Sequence, residues 1–115
     1  MRNFRDLEVW QSSVLFVKKI YIITGAFPNE EKFGLVSQLR RCAVSIPSNI
    51  AEGSGRKSNK EFSQFLSIAY GSLCELDTQV IISMELGFLK NQDLEEIEKE
   101  VGELQIPWKN KLPSF

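Results

Sequence analysis

The stretch Gln38–Arg56 constrains this chain most, because it has the pattern of a helix yet carries Pro47 within and Gly53 and Gly55 near its end. At about 100° per residue, Leu39, Cys42, Ala43, Ile46 and Ile50 share one face, while Gln38, Arg41, Ser45, Asn49 and Glu52 line the other. A proline inside a helix removes one backbone hydrogen bond and clashes with the preceding turn, at ~3 kcal/mol. The expectation is therefore a kink near Val44–Pro47, or a break with Pro47 as the first residue of a new helix. Gly53 is expected to stop the segment.

The flanking sequence continues in helical period. Helix 1 is predicted over about 5–24, ended by Gly25, with one stripe of Leu7, Trp10, Val14, Val17 and Tyr21. A second stripe, Val9, Phe16, Ile20 and Ile23, lies on a different face. One stripe suffices for a bundle core, so the second is the candidate oligomer interface. Asn29 ahead of Glu30 and Glu31 is the expected cap of a helix over 30–52. Ser58-Asn-Lys-Glu61 fits a capping box that opens a helix over 58–86. Its stripe runs through Phe62, Phe65, Leu66, Ala69, Leu73, Leu76, Val80 and Met84, and Gly87 supplies a left-handed end. Asn91 is expected to cap a last helix, 92–106, bearing Leu94, Ile97, Val101, Leu104 and Trp108 until Pro107 interferes, with fraying after Trp108.

Connections of about four to six residues make consecutive helices antiparallel neighbours, so the predicted fold is all-α, an up-down-up-down four-helix bundle in one domain over residues 1–115. With contiguous apolar runs of at most four residues, no membrane-spanning segment is expected, and the default compartment is the cytoplasm. Cys42 and Cys74 fall inside helical segments and read as buried, reduced thiols. Trp10, Trp108, Tyr21 and Tyr70 read as core residues.

The chain contains no histidine, and its formal net charge is −1. Acid–base, nucleophilic and di-metal bundle chemistry lose their usual donors, so no catalytic residue, metal site or cofactor is expected. Glu52 and Glu75 could pair as acids, but pairing with Arg40 or Arg41 is the simpler expectation. The Gly53-Ser-Gly55 loop follows a helix and lacks a Walker ending, so nucleotide binding is rejected. Residues 1–60 carry ten Lys/Arg against five Asp/Glu, and residues 61–115 carry four against ten. Arg40, Arg41, Arg56, Lys57 and Lys60 are the nucleic-acid-binding candidates, opposed by a sequence pI near 5.5 and an acidic last helix. The line Gln38, Arg41, Ser45, Asn49 and Glu52, with Glu75, is even between a solvated face and a packed contact by its residue types, and without catalytic donors it reads as a structural polar seam.

Phe4-x-x-Leu7-x-x-Trp10, Gln38-Leu-Arg-Arg, Ser45-Ile-Pro-Ser-Asn-Ile-Ala-Glu-Gly-Ser-Gly-Arg56 and Ala69-x-Gly71-Ser-Leu-x-Glu75-Leu resemble the bacterial four-helix bundle family encoded within intervening sequences of large-subunit ribosomal RNA genes. Its members are often labelled ribosomal proteins. The similarity covers roughly residues 4–104 and extends to the accessory protein of diversity-generating retroelements, a homopentamer that binds nucleic acid and a reverse transcriptase. The resemblance implies self-association as a pentamer, no established catalytic activity, and RNA or a nucleic-acid-processing protein as a further partner. It carries over Gln38, Arg41, Ser45, Asn49, Glu52, Gly53, Arg56, Gly71, Ser72 and Glu75 without assigning them a role.

Overall fold

In the computed structural model, which describes residues 3–109 and the side chains of 3–105, a 3-10 turn Phe4–Asp6 leads into α1 (Glu8–Thr24). A second 3-10 turn, Asn29–Glu31, precedes α2 (Leu35–Ser54), and α3 (Asn59–Glu85) and α4 (Asn91–Lys109) follow. No strand occurs among the described residues. The chain is an all-α four-helix bundle.

The helix ends show which local signals decide. Ser58 caps α3 by accepting from the Glu61 N–H at 3.1 Å. At its other end the Gly87 N–H bonds Met84 O and the Phe88 N–H bonds Ser83 O, a Schellman pair made possible by Gly87 at φ +79°. Asn29 does not cap α2. It starts the 3-10 turn instead, and α2 begins after Gly34, whose backbone (φ −107°, ψ −113°) breaks the path. Glu31 Oε1 then accepts from the Leu35 N–H at 3.3 Å. Asn91 is the first helical residue of α4 rather than its cap, and α4 continues through Pro107. The side chains of Pro107 and Trp108 lie outside the described ones.

α2 runs unbroken through Pro47, which is buried in its middle. The face of α2 on either side of it is well buried: Ile46 and Ile50 are fully buried with Leu39, Ala43, Leu73 and Leu76 in one core. Gly53 does not end the helix. A Cβ there would stand 2.6 Å from Phe65 Cβ and 2.9 Å from Phe62 Cδ1, so this glycine is where the α2 backbone meets α3.

Both stripes of α1 reach the core: Leu7, Trp10 and Val17 of the expected core stripe pack partly buried against it. Phe16 and Ile20, placed in the candidate interface, are 2% and 1% exposed, with Val9 and Ile23 packed partly buried beside them. Val14 and Tyr21 of the other stripe are exposed, together with Leu15 and Ile22, which lie outside both stripes. Phe16 and Ile20 point inward because α2 and α4 flank that face. Contacts between Lys19 and both Glu96 and Glu100 tie α1 to α4, the Glu100 bond measuring 2.6 Å.

By length and composition α3 reaches the minimum for crossing a bilayer, with an 18-residue window of mean hydropathy 1.2. A count of contiguous apolar residues does not register this, because small and polar residues interleave the stripe. Leu66, Ala69, Leu73, Leu76 and Val80 nevertheless pack inward, as in the core helix of a bundle. Cys42 is buried as expected, Cys74 is exposed, and both thiols are free. Trp10 is only partly buried, edge-on to Phe4 at 5.1 Å between ring centres, and Tyr70 is likewise partly buried.

Two stability predictions follow from this packing. Gly53→Ala gains up to ~1 kcal/mol of helix propensity but meets carbon anchored to the α3 backbone, an overpacking cost of ~1–3 kcal/mol. Overpacking wins, so urea unfolding of Gly53→Ala should show a net loss of about 1–2 kcal/mol. Between α3 and α4, partial burial together with a hydrogen bond and repulsion from Asp77 pushes the Glu98 carboxyl up to about 7. Folded protein thus holds a proton that the unfolded chain releases near its ordinary value, and stability falls as pH rises through that interval to about 7. Glu98→Gln should flatten this decline and raise the urea midpoint at pH 8. The gain is about 1 kcal/mol, kept small by the exposure of the side chain.

Candidate functional site

The polar face of α2 meets α3 in antiparallel register. Ser45 Oγ lies 2.8 Å from Ser72 Oγ, and Gln79 Nε2 donates to Gln38 Oε1 at 3.2 Å. Asn49 Nδ2 donates to both Ser45 O (2.8 Å) and Ser45 Oγ (2.9 Å). Short side chains allow this contact: a hydroxyl pair bridges helices only when their backbones approach closely, whereas two glutamines reach across a wider gap. Gly53, Ser45–Ser72 and Gln38–Gln79 therefore mark a seam that is tight at one end and bridged by longer side chains at the other.

At the wider part the seam opens into a groove of about 380 Å³ lined by Gln38, Arg41, Cys42, Ser45, Ser72 and Glu75. Burial and the neighbouring Glu75 carboxylate, which accepts from the thiol, raise the Cys42 pKa and hold it as a neutral thiol. Gln79 is buried, and its hydrogen bond to Cys42 partly offsets that rise.

A second groove, about 640 Å³, shares Arg41 and Ser45 with the first and is bordered by Tyr21, Lys32, Phe33 and Val44. Phe33 is 90% exposed, and the Lys32 ammonium stands 5.6 Å from its ring centre. Sequence reasoning passed over Phe33; its exposure depends on the 3-10 turn and Gly34, which no apolar period announces.

The five basic candidates do not form one cluster. Arg40 packs its guanidinium 4.5 Å from the Tyr21 ring centre and donates to Thr24 Oγ1 (3.0 Å) and Tyr21 O (3.2 Å), binding α2 to the C-terminal end of α1. Arg41 stands in the polar groove. Arg56, Lys57 and Lys60 are exposed at the α2–α3 turn, about 24 Å along the helix from Arg40 by its rise per residue. Arg56 pairs with Glu52 at 2.8 Å and stacks 4.8 Å from the Phe65 ring centre. Glu52 and Glu75 are not brought together: one meets Arg56, the other lies by Cys42. Among the described residues no three His, Cys, Asp or Glu side chains gather as a metal-binding set.

A four-helix chain with a buried proline in α2 and a polar α2–α3 seam belongs to the class of small helical-bundle proteins. Residues 5–106 match the model of the 23S rRNA-intervening sequence protein family, and the chain belongs to that family. No match was found among curated proteins.

Proposed function

We propose that this protein works by association rather than by chemistry of its own, as a cytoplasmic homo-oligomeric scaffold or adaptor, with the five subunits that the family resemblance implies. The carrying observation is Leu15 and Ile22, two turns apart on the outer face of α1 and 69% and 67% exposed. Apolar residues so placed are costly on a monomer when they join others into a patch.

Charge supports a second copy as the occupant. Leu15 borders a groove that carries Glu8, Glu100 and Glu103, while the groove at Ile22 sets Lys18 and Lys19 beside Asp93 and Glu96. Phe33, Tyr21 and Val44 border one that carries Lys32, Arg40 and Arg41. An acid-edged apolar patch on one copy complements a base-edged patch on the next. Contacts between unlike patches repeat head to tail and close into a ring when the rotation permits. Light scattering of the purified protein should give several times 13.1 kDa, and Leu15→Glu with Ile22→Glu should return it to that mass. A wild-type monomer at micromolar concentration overturns the reading.

RNA binding is the second reading, favoured by three exposed cations on the single turn at Arg56, Lys57 and Lys60 and by the ribosomal RNA in the family's description. If each meets a phosphate of a single strand, affinity should fall roughly 20-fold between about 50 and 200 mM salt. Filter binding with Arg56→Glu and Lys57→Glu should show that affinity abolished. Absence of binding by the wild-type chain at low salt removes this reading.

A further inference from the structure

The outward face of α3 is uncharged over most of its length, and no other helix among the described residues covers it. Of its 18-residue window of mean hydropathy 1.2, 33% is buried, and Ile68, Ile81 and Ile82 are exposed. Opposite the core, Ser67, Gly71, Cys74 and Thr78 follow one another on an arc of about 60°, all of them exposed. The Ser67 and Thr78 hydroxyls donate to Ser63 O (3.1 Å) and Cys74 O (2.9 Å) of the same helix, so they need no outside partner. Gly71 is unlike Gly53, because a Cβ there would meet nothing within 4 Å. A glycine inside a helix lowers its stability relative to alanine, and here the fold gains no close contact in return. The missing side chain instead lets a helix from outside the chain approach closely.

Charge says which helix fits. Lys60 and Glu85 lie on the same arc at the two ends of α3, about 37 Å apart by its rise per residue. Both are exposed, and the ion pairs among the described residues include neither. Between them the arc carries no charge: Glu75 turns to Cys42 beside α2, and Asp77 turns to Glu98 of α4. Two copies of this face set antiparallel bring Lys60 of each against Glu85 of the other. The same register lays Ser67 opposite Thr78, and Gly71 opposite Cys74 at the centre. A parallel pair would stack like charges at both ends.

We propose that the outward face of α3 is a self-docking surface, on which a second copy of this chain packs its own α3 antiparallel about a two-fold axis. Such a contact closes at two copies, unlike the head-to-tail contact through α1. It goes beyond that contact and rests on neither it nor RNA binding. One helix pair buries less than a standard interface of ~1,600 Å², so alone it dissociates at micromolar concentration.

The test is sedimentation equilibrium of the full chain carrying Leu15→Glu and Ile22→Glu, which removes the α1 contact, from about 10 µM to about 1 mM. The mass should rise toward twice 13.1 kDa and stop there. Gly71→Gln, whose Cβ meets nothing in its own chain, should abolish the rise while circular dichroism shows the helices intact. Lys60→Glu or Glu85→Lys alone sets like charges opposite at both ends and should weaken the dimer about tenfold, whereas the two together should restore it to within about twofold. Phosphate binding by Lys60 would not be rescued by Glu85→Lys in this way. A chain that stays monomeric at about 1 mM overturns the proposal, whether or not the wild type assembles through α1. Association that passes two copies, survives Gly71→Gln or is not restored by the charge swap overturns it as well. A monomer that instead sediments with phosphatidylcholine vesicles assigns the face to a bilayer, which also overturns it.

Discussion

The close approach of α2 to α3 is the contact on which the rest of the molecule depends. Gly53 permits it, since any side chain there would overlap Phe65 and Phe62. Once the backbones meet at that point, Ser45 and Ser72 fall within hydrogen-bond reach, and the apolar faces of both helices close over Leu39, Ile46, Ile50, Leu73 and Leu76. Pro47 is accommodated for the same reason. A helix this well buried on one face retains its path despite one missing backbone bond, because burying a single large aliphatic side chain contributes about 1.5–3 kcal/mol.

α1 and α4 are held less stringently. They share the Lys19–Glu100 bond and the buried positions Phe16, Ile20, Ile97, Val101 and Leu104, but α1 keeps Val14, Leu15, Tyr21 and Ile22 toward solvent. Burial of Lys19 opposes its charge, while the Glu100 hydrogen bond and the nearby Glu96 favour it, and the net effect holds its pKa above the ordinary lysine value. The acidic excess of the second half of the sequence is thus only partly neutralised within the chain. Part of what remains, Glu103 with Glu8 of α1, lies in the groove beside Leu15, while Lys32, Arg40 and Arg41 border the groove at Phe33 and Val44.

Features set by a few adjacent residues were legible in the sequence. The Ser58 cap on the Glu61 N–H, the left-handed Gly87 and the apolar stripe of α3 stand as read. Features set by a neighbouring helix were not. Both stripes of α1 have helical period, and only the positions of α2 and α4 decide that Phe16 and Ile20 face inward. Gly53 looked like a terminator because glycine ends helices more often than it seats them against each other. Asn29 lost its capping role to Glu31 because the intervening Gly34 breaks the backbone path, a choice that composition does not encode. The polar face of α2 was readable as a polar seam, but that α3 is the helix it meets was not.

The groove itself follows from side-chain length along that line. At Gly53 no side chain intervenes, at Ser45–Ser72 two short hydroxyls bridge the helices, and at Gln38–Gln79 two amides are needed. Between the last two pairs lie Cys42, a small thiol on the floor, and Arg41 and Glu75, whose long side chains stand at the rim without bonding each other. An apolar pair at Arg41 and Glu75 would bury more surface and extend the core outward. A mutual salt bridge there would close the opening with a partly desolvated pair of little net worth. Neither arrangement is present. The groove stays open because the charged ends of these two side chains reach solvent instead of each other.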